Sequence, residues 1–355
     1  MSGPGRTTLV DARWARNAGT TTFTRLLLRG LGEVDPPGRW LLWGPAGFVG
    51  PLVWAGADHV PTEVDPVSWF GQRCAFRLPQ ADVVLHPHQT RPAHRLPAAS
   101  CVLDLIQLQE PNTALRLAKT VRLRASVRAA RVLFTIAASV RDQLVADYGV
   151  ERASVTVLRL PVDAGAAGRV AARREAAPPG RYVLSVGRFD HHKNLPRLVE
   201  AFTATRFAAG GGRLRLVGGS AGQLRALGVA TVPDAVEVLG TLDQPGLEDA
   251  MAGATALVQA SLVEGYGLPV AEALLAGVPV ASSPVPALTE SGPAGVPTFD
   301  PRSVTAIAEA IDEVVDLAEK GDYWTRVDRT SWAAARPTTR DLAEQVLGAL
   351  SGLGP

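Results

Sequence analysis

Two short stretches in the second half of this 355-residue chain bring together residue types that bind phosphates and hydroxyls. The first is Val186-Gly187-Arg188-Phe189-Asp190-His191-His192-Lys193-Asn194, between an apolar run and a helical pattern over 195–205. Arg188 offers a planar fork and Lys193 a compact charge, a pair suited to a diphosphate. Asn194 stands where its side chain can cap the helix, whose free N–H groups favour an anion. The spacing is not that of a P-loop, and G-x-G-x-x-G is missing. Taken alone, these are two solvated surface cations, and alanine at Lys193 is expected to change stability by less than ~0.5 kcal/mol. The second stretch is Ser261-Leu262-Val263-Glu264-Gly265-Tyr266-Gly267-Leu268-Pro269-Val270-Ala271-Glu272-Ala273, with two glutamates separated by seven residues. Gly265 and Gly267 let backbone approach a ligand, Pro269 suits a first helical turn, and Glu272 is expected in that turn. A glycine loop opening onto a helix with an acid on either side can hold phosphate on N–H groups and hydroxyls on carboxylates. The plainer reading of Glu272 is an acid favoured by the helix dipole.

The elements that must position these stretches are short apolar runs alternating with amphipathic segments, the pattern of strand-helix units in parallel sheets. The pattern occurs twice. Runs at 7–10, 40–43, 82–85, 101–103, 132–136 and 155–158 fill the first half, and runs at 182–186, 213–217, 236–239, 256–258 and 278–281 the second. Residues 165–180 are rich in breakers, without apolar periodicity, and read as a linker. The expected organisation is a domain over 1–164, that linker, a second domain over 181–335, and a terminal helix over 336–355 returning towards the first. Two doubly wound α/β domains facing across a cleft would place ligands at the strand C-terminal ends.

Composition narrows the function classes. Hydrophobic residues make up 46% and charged residues 20%, which supports buried cores. No apolar run approaches the ~18 residues of a spanning helix, and the opening residues do not read as a secretion signal, so a cytoplasmic protein is expected. Cys74 and Cys101 fit neither a zinc knuckle nor a redox pair and read as buried small hydrophobes. The net charge of +2 divides into 19 basic and 13 acidic residues over 1–165 against 17 and 21 over 166–355. A nucleic-acid binder would be more lopsided. Only Lys119, Lys193 and Lys320 are lysines among the 36 basic residues, as in a chain biased towards arginine codons, so Lys193 stands out.

The second half resembles the donor-binding domain of the retaining glycosyltransferases of family 4, which have the GT-B fold of two Rossmann-like domains. Gly187-Arg188 followed by Lys193-Asn194, and the Glu264 to Pro269 block with Glu272, match the family motif at the family's spacing. Gly277 to Ala281 and Ala287 to Glu290 are also similar, and Trp332 falls where many members have a tryptophan. The resemblance implies that Arg188 and Lys193 hold the donor diphosphate and that Glu272 holds the ribose. Glu264 with the backbone of Gly265, Tyr266, Gly267 and Leu268 would then hold the transferred sugar. Arg188, Lys193 and Glu264 become the candidate catalytic residues, with Gly187 beside them. Leaving-group stabilisation by the cations and amides needs no metal, so no cofactor is expected beyond the nucleotide-sugar co-substrate.

The first half is similar to the family in Asp11-Ala12-Arg13, in Asn17-Ala18-Gly19-Thr20 and in Leu160-Pro161-Val162-Asp163. The family often carries a histidine-aspartate pair after a central strand. The corresponding stretch here is Val102-Leu103-Asp104-Leu105-Ile106, with leucine in the histidine's place. Gly19, Asp104 and two nearby histidines, His86 and His88, are therefore the candidates to face an acceptor. His-Pro-His and His191-His192 lack a third metal ligand, and no metal is expected.

Arg116, Lys119, Arg122, Arg124, Arg128, Arg131 and Arg141 follow one another with no acid between, interleaved with Leu115, Leu117, Val121, Leu123 and Val127. This reads as a solvated basic face or as a peripheral contact with anionic lipid. The reading as a whole is a retaining hexosyltransferase, mannose being one donor sugar, acting on an envelope glycan, a glycolipid or a secondary metabolite. The alternative is a catalytically impaired nucleotide-sugar-binding partner, motivated by Leu103. A dinucleotide-dependent oxidoreductase fits two domains but not the missing phosphate fingerprint.

Overall fold

A computed structural model describes residues 5–14, 18–62, 79–89, 94–109 and 112–353. The chain divides into two compact units, Met1–Pro161 with Pro337–Pro355, and Val162–Arg336. In the first unit the strands are β1 (Thr7–Asp11), β2 (Arg39–Gly44), β3 (Ala57–Pro61), β4 (Val83–His86), β5 (Ala98–Val102), β6 (Val132–Thr135) and β7 (Val155–Val157). They form a parallel sheet in the order β3-β2-β1-β4-β5-β6-β7, with Leu9 opposite both Leu41 and Val84. Leu9, Val10, Leu42, Val84 and Leu85 are buried, as strands covered on both faces must be. The order reverses between β1 and β4, where such sheets open a crevice at the strand C-terminal ends.

β3 escaped the sequence reading because Ala57-Asp58-His59-Val60-Pro61 is an edge strand with polar residues and a proline, not an apolar run. β5 starts before the expected position because Ala98, Ala99 and Ser100 are too small to register as an apolar run, yet all are buried. Cys101 is a free, buried thiol, and burial pushes its pKa up. Cys74 lies outside the described residues.

The second unit holds β8 (Tyr182–Val186), β9 (Arg213–Val217), β10 (Val236–Gly240), β11 (Ala256–Gln259) and β12 (Val280–Ser282). They form a parallel sheet in the order β10-β9-β8-β11-β12, whose core includes Val183, Leu184, Leu216, Leu257 and Val258.

The linker expectation over 165–180 is corrected. Asp163 caps a helix, Ala164–Ala176, by accepting the Ala166 N–H at 3.0 Å, and the helix buries Ala167 and Val170. Its other attachment is electrostatic. Arg169 and Arg173 both bond to the buried Glu248 carboxylate, at 2.6 and 2.7 Å, and hold it down to a pKa of about 2, with burial opposing. A helix anchored by two small apolar contacts and an ion-pair cluster has too little periodicity to read from sequence. The boundary therefore falls before this helix, at Pro161, rather than at residue 164.

The chain leaves the second unit at Arg336, and the helix Thr339–Ser351 packs on the helix Ala18–Val34 of the first. Thr338 and Asp341 form a capping box at its start, and Thr339 Oγ1 donates to Glu33 Oε1 at 2.7 Å.

Candidate functional site

The two motifs of the second half emerge from adjacent parallel strands, β8 and β11, at their C-terminal ends. Main-chain and amide bonds stitch their loops together. Leu262 N–H donates to His192 O at 2.7 Å, and Ser283 Oγ donates to Ser261 O at 2.6 Å. Asn194 does not cap the following helix, Leu195–Thr203, through its side chain. It adopts a left-handed conformation (φ 57°), and its buried amide donates to Ala260 O at 3.1 Å and Pro301 O at 2.6 Å. Asparagine tolerates this region better than most residues, so it pins three segments where a capping serine could not.

The centre of the site is an ion pair. Lys193 Nζ donates to Glu264 Oε1 at 2.6 Å, and the two side chains are only 11% and 8% exposed. The same oxygen accepts from Ser261 Oγ at 2.7 Å and Gln259 Nε2 at 3.1 Å. All three donors converge on Oε1, so Oε2 has no hydrogen bond among the described residues. Burial works to raise the Glu264 carboxyl, and the Lys193 charge with the Lys193 and Ser261 hydrogen bonds outweighs it, leaving the pKa below the usual range. Gly187, at φ 152°, makes room for the lysine, since a Cβ there would stand 2.8 Å from Lys193 Cε. The separate assignments of Lys193 and Glu264 thus become one unit, and Lys193 is not a surface cation. Arg188 is exposed, at 60%, in a loose contact with Asp190 at 3.4 Å, and keeps the freedom to meet a ligand.

The glycine loop leads into the helix Leu268–Leu275, with Gly267 at its N-cap. No backbone carbonyl among the described residues accepts from the N–H of Gly265, Gly267 or Leu268. Gly267 has φ 82°, and a Cβ there would lie 2.0 Å from Leu288 Cδ2. Gly267→Ala should therefore cost about 2–4 kcal/mol from left-handed strain and overpacking, read by denaturant unfolding. Tyr266 turns inward, its hydroxyl accepting from Arg336 Nη1 at 3.0 Å, so only its backbone serves the loop. Glu272 lies in the second turn of the helix, not the first as expected, because Gly267 rather than a later residue starts the count. Its carboxyl makes no hydrogen bond or ion pair among the described residues, and burial followed by the Asp163 charge pushes it up to about 7.

Residues 180–316 match the family described as glycosyl transferases group 1. A sucrose-phosphate synthase structure from Thermosynechococcus elongatus superposes with a TM-score of 0.74 at 17% identity, covering 98% of both chains. A glycosyltransferase structure from Rickettsia africae gives 0.69 at 10% identity, again over 98% of each chain. The fold is GT-B. Glycogen synthase of Mycobacterium tuberculosis is 32% identical over 196 residues, 54% of this chain and 47% of that protein. The chain thus spans about half the length of the curated relatives it matches. Trp332 of the GT-B chain donates from Nε1 to Ser291 O at 3.2 Å. It supports the C-terminal end of the short helix Pro286–Ser291.

The first-half candidates are mostly engaged within their own unit. Asp11, at the end of β1, holds Arg13 through two bonds of 2.7 and 2.8 Å, and accepts from His86 Nδ1 at 3.2 Å. Burial opposes the Asp11 charge, and Arg13 and His86 outweigh it, keeping the carboxyl well below the usual range. The Nε2 atoms of His86 and His94 lie 3.0 Å apart, one donating to the other. His88 stacks on Trp14 with centroids 4.4 Å apart, and burial, then the Arg122 charge, pushes it down to about 4. His86, expected as a residue that could face an acceptor, is instead buried in a polar chain with Asp11 and His94 at the β1/β4 switch point, whereas His88 is half-buried against Trp14. Asp104 accepts the Ile106 N–H at 3.2 Å, and Leu103 is buried. Gly19 is exposed in the first turn of the helix Ala18–Val34 rather than in a glycine loop, and Asn17 lies outside the described residues.

Sequence reasoning missed Gln259, and it quoted Ser261 and Asp163 within motifs without giving either a role at the site. Their signal was weak, being polar residues closing an apolar strand and preceding a helix. Among the described residues, no group of three or more histidine, cysteine or acidic side chains is placed to hold a metal.

Proposed function

We propose that this chain is a retaining glycosyltransferase that moves a hexose from a nucleoside-diphosphate sugar to an acceptor hydroxyl. The observation that supports it best is Glu264, buried and ionised, with three donors on Oε1 and none on Oε2 among the described residues, beside a glycine loop in which no carbonyl among those residues accepts from Gly265, Gly267 or Leu268. A carboxylate so prepared accepts from sugar hydroxyls. Lys193 has two further ammonium protons and Arg188 a mobile fork for diphosphate oxygens, and the loop amides add to them. Glu272 would take the ribose hydroxyls.

In this reading the bond from the anomeric carbon to the diphosphate breaks and the bond to the acceptor oxygen forms on the same face. The acceptor proton passes to a leaving-phosphate oxygen. Glu264 and Glu272 do not act as a glycosidase acid and nucleophile, and activity is expected to survive a chelator. Guanosine diphosphate-mannose is the favoured donor over uridine-linked sugars, on the resemblance of the first-half entry to mannosyltransferases. Acceptors in envelope polysaccharides, glycolipids or secondary metabolites fit the same resemblance.

Membrane contact belongs with this reading. The helix Thr113–Ala129 exposes Leu115, Leu117 and Val121, at 45%, 63% and 59%, among five of the seven basic residues. Cations and apolar side chains on one exposed helix suit a cytoplasmic protein held at an anionic lipid surface. Among the described residues no helix is long and apolar enough to cross a membrane.

Thermal unfolding with uridine, guanosine, adenosine and thymidine diphosphates tests the donor assignment. A ligand at ~100 times its dissociation constant adds about 2.7 kcal/mol, which raises the midpoint by several degrees. A shift with one base, diminished in Glu272→Ala for both the diphosphate and its sugar, is expected. No shift with any of them at millimolar concentration would refute the site. Product formation with retained configuration then separates the enzyme from the non-catalytic alternative raised by Leu103.

A further inference from the structure

The helix Ala164–Ala176 sends its arginines in two directions. Arg169 and Arg173 converge on Glu248, whereas Arg174 Nη1 donates to Ala252 O at 2.8 Å and Ala254 O at 2.6 Å. Arg174 meets no carboxylate among the described residues, its Nε and Nη2 make no hydrogen bond there, and burial lowers its pKa. It lines a cavity of about 300 Å³ in the second unit. Arg181, Thr255 and Pro279 also line it, and they immediately precede β8, β11 and β12. The cavity therefore sits at the N-terminal edge of the sheet, the end opposite the donor loops. The five residues of β8 put ~16 Å between the two ends.

Trp324 forms part of the wall. Arg329 stands 5.2 Å from the Trp324 ring centroid and would be 2.7 Å from a Cβ at Gly277, another lining residue. It too has no carboxylate partner among the described residues. The acid that lines the cavity is Glu319, 3.8 Å from Arg181. Guanidinium groups outnumber carboxylates, and an aromatic face stands beside them.

We propose that this cavity is a second ligand site, distinct from the donor site, for a sugar phosphate. A phosphomonoester is largely dianionic near neutral pH and matches the free edge of the Arg174 fork in the wall, with the Arg329 charge beside Gly277 and Trp324 adding to it. The sugar ring lies on Trp324, and Glu319 accepts from a hydroxyl. The volume admits a phosphorylated monosaccharide and is too small for a polymer or a complete nucleotide sugar.

Calorimetric titration of the full chain with glucose 6-phosphate, glucose and inorganic phosphate tests this. Glucose 6-phosphate should bind at submillimolar concentration and the other two at least about tenfold more weakly. Arg329→Gln, which loses no side-chain hydrogen bond among the described residues, and Arg174→Gln should each weaken binding about tenfold or more. Trp324→Phe should keep part of the affinity. Saturating nucleoside diphosphate should leave binding intact, and so should the double variant Lys193→Met with Glu264→Gln, which separates this site from the donor site. Absence of binding at millimolar concentration, equal affinity for inorganic phosphate, indifference to both arginine variants, or displacement by the nucleoside diphosphate would each overturn the proposal.

Discussion

Lys193→Ala should destabilise the protein by about 3–5 kcal/mol, several times the cost of removing a surface cation. The substitution leaves Glu264 ionised and buried with only Ser261 and Gln259 as donors among the described residues. Charge removed from water is stabilised here by its partner, and once the partner is gone the carboxyl must either protonate or unfold its surroundings. The pKa of Glu264 is depressed in the fold, so its contribution is present above the unfolded carboxyl pKa and is lost as pH falls through the folded value. The Lys193→Ala defect should accordingly shrink in acid, where the orphaned carboxyl is protonated. A double variant, Lys193→Met with Glu264→Gln, removes both charges and retains the Ser261 hydrogen bond. It should recover most of the lost stability while donor binding stays abolished. Denaturant unfolding at pH 5 and pH 8, together with nucleotide titration, checks both halves. A double variant as unstable as Lys193→Ala would mean that the pair does not act as a unit.

This pair also marks the limit of what the sequence carries. The motif spacing singled out Gly187, Arg188, Lys193, Glu264 and Glu272 because the first four stand in the loops that follow two apolar strands, whose ends are legible, and Glu272 on the helix after the second loop. Parallel sheets read well for the same reason: buried strands such as Tyr182–Val186 are continuous apolar runs. What a linear reading misses is convergence from different strands. The loops after β8 and β11 lie 71 residues apart in the chain and share one hydrogen bond between Lys193 and Glu264. Sequence chemistry assigned these residues to two ligand groups. Asn194 shows the same limit at shorter range, since its identity suits a helix cap and its left-handed backbone turns the amide towards two other loops. His86 and His88 were legible as polar residues at a strand end, but nothing in their order shows that Asp11 and Trp14 occupy the faces they were expected to present. The helix Ala164–Ala176 failed in the opposite sense, because alanine and glycine next to breakers resemble a linker until Glu248 is seen between two arginines.

Glu272→Gln should make the ligand-free protein more stable at pH 8, by up to about 3 kcal/mol, and leave it nearly unchanged at pH 5. The folded carboxyl titrates at about 7, against an ordinary glutamate value of 4.5, because burial and the Asp163 charge disfavour its ionised form. A raised pKa means the folded state holds a proton that the unfolded state has released between those values. Stability is then fully present below the unfolded pKa and declines as pH rises through the folded one, by ~1.4 kcal/mol for each unit of separation. Glutamine carries no charge and escapes the decline, so the variant and the wild type should diverge between about pH 5 and pH 7.5. No core residue gains from keeping such an acid. A ribose-binding residue does, because two hydroxyls donating to the ionised carboxylate would restore what burial removes. Nucleoside diphosphate affinity in the wild type should therefore rise with pH through about 7, with proton release on binding. Glu272→Gln should flatten that dependence and weaken binding by about tenfold or more at pH 8. Paired unfolding and calorimetric titrations at several pH values measure both effects. A glutamine variant that is no more stable at pH 8, or that binds the nucleotide as tightly as the wild type, would refute the ribose assignment even if the fold is unchanged.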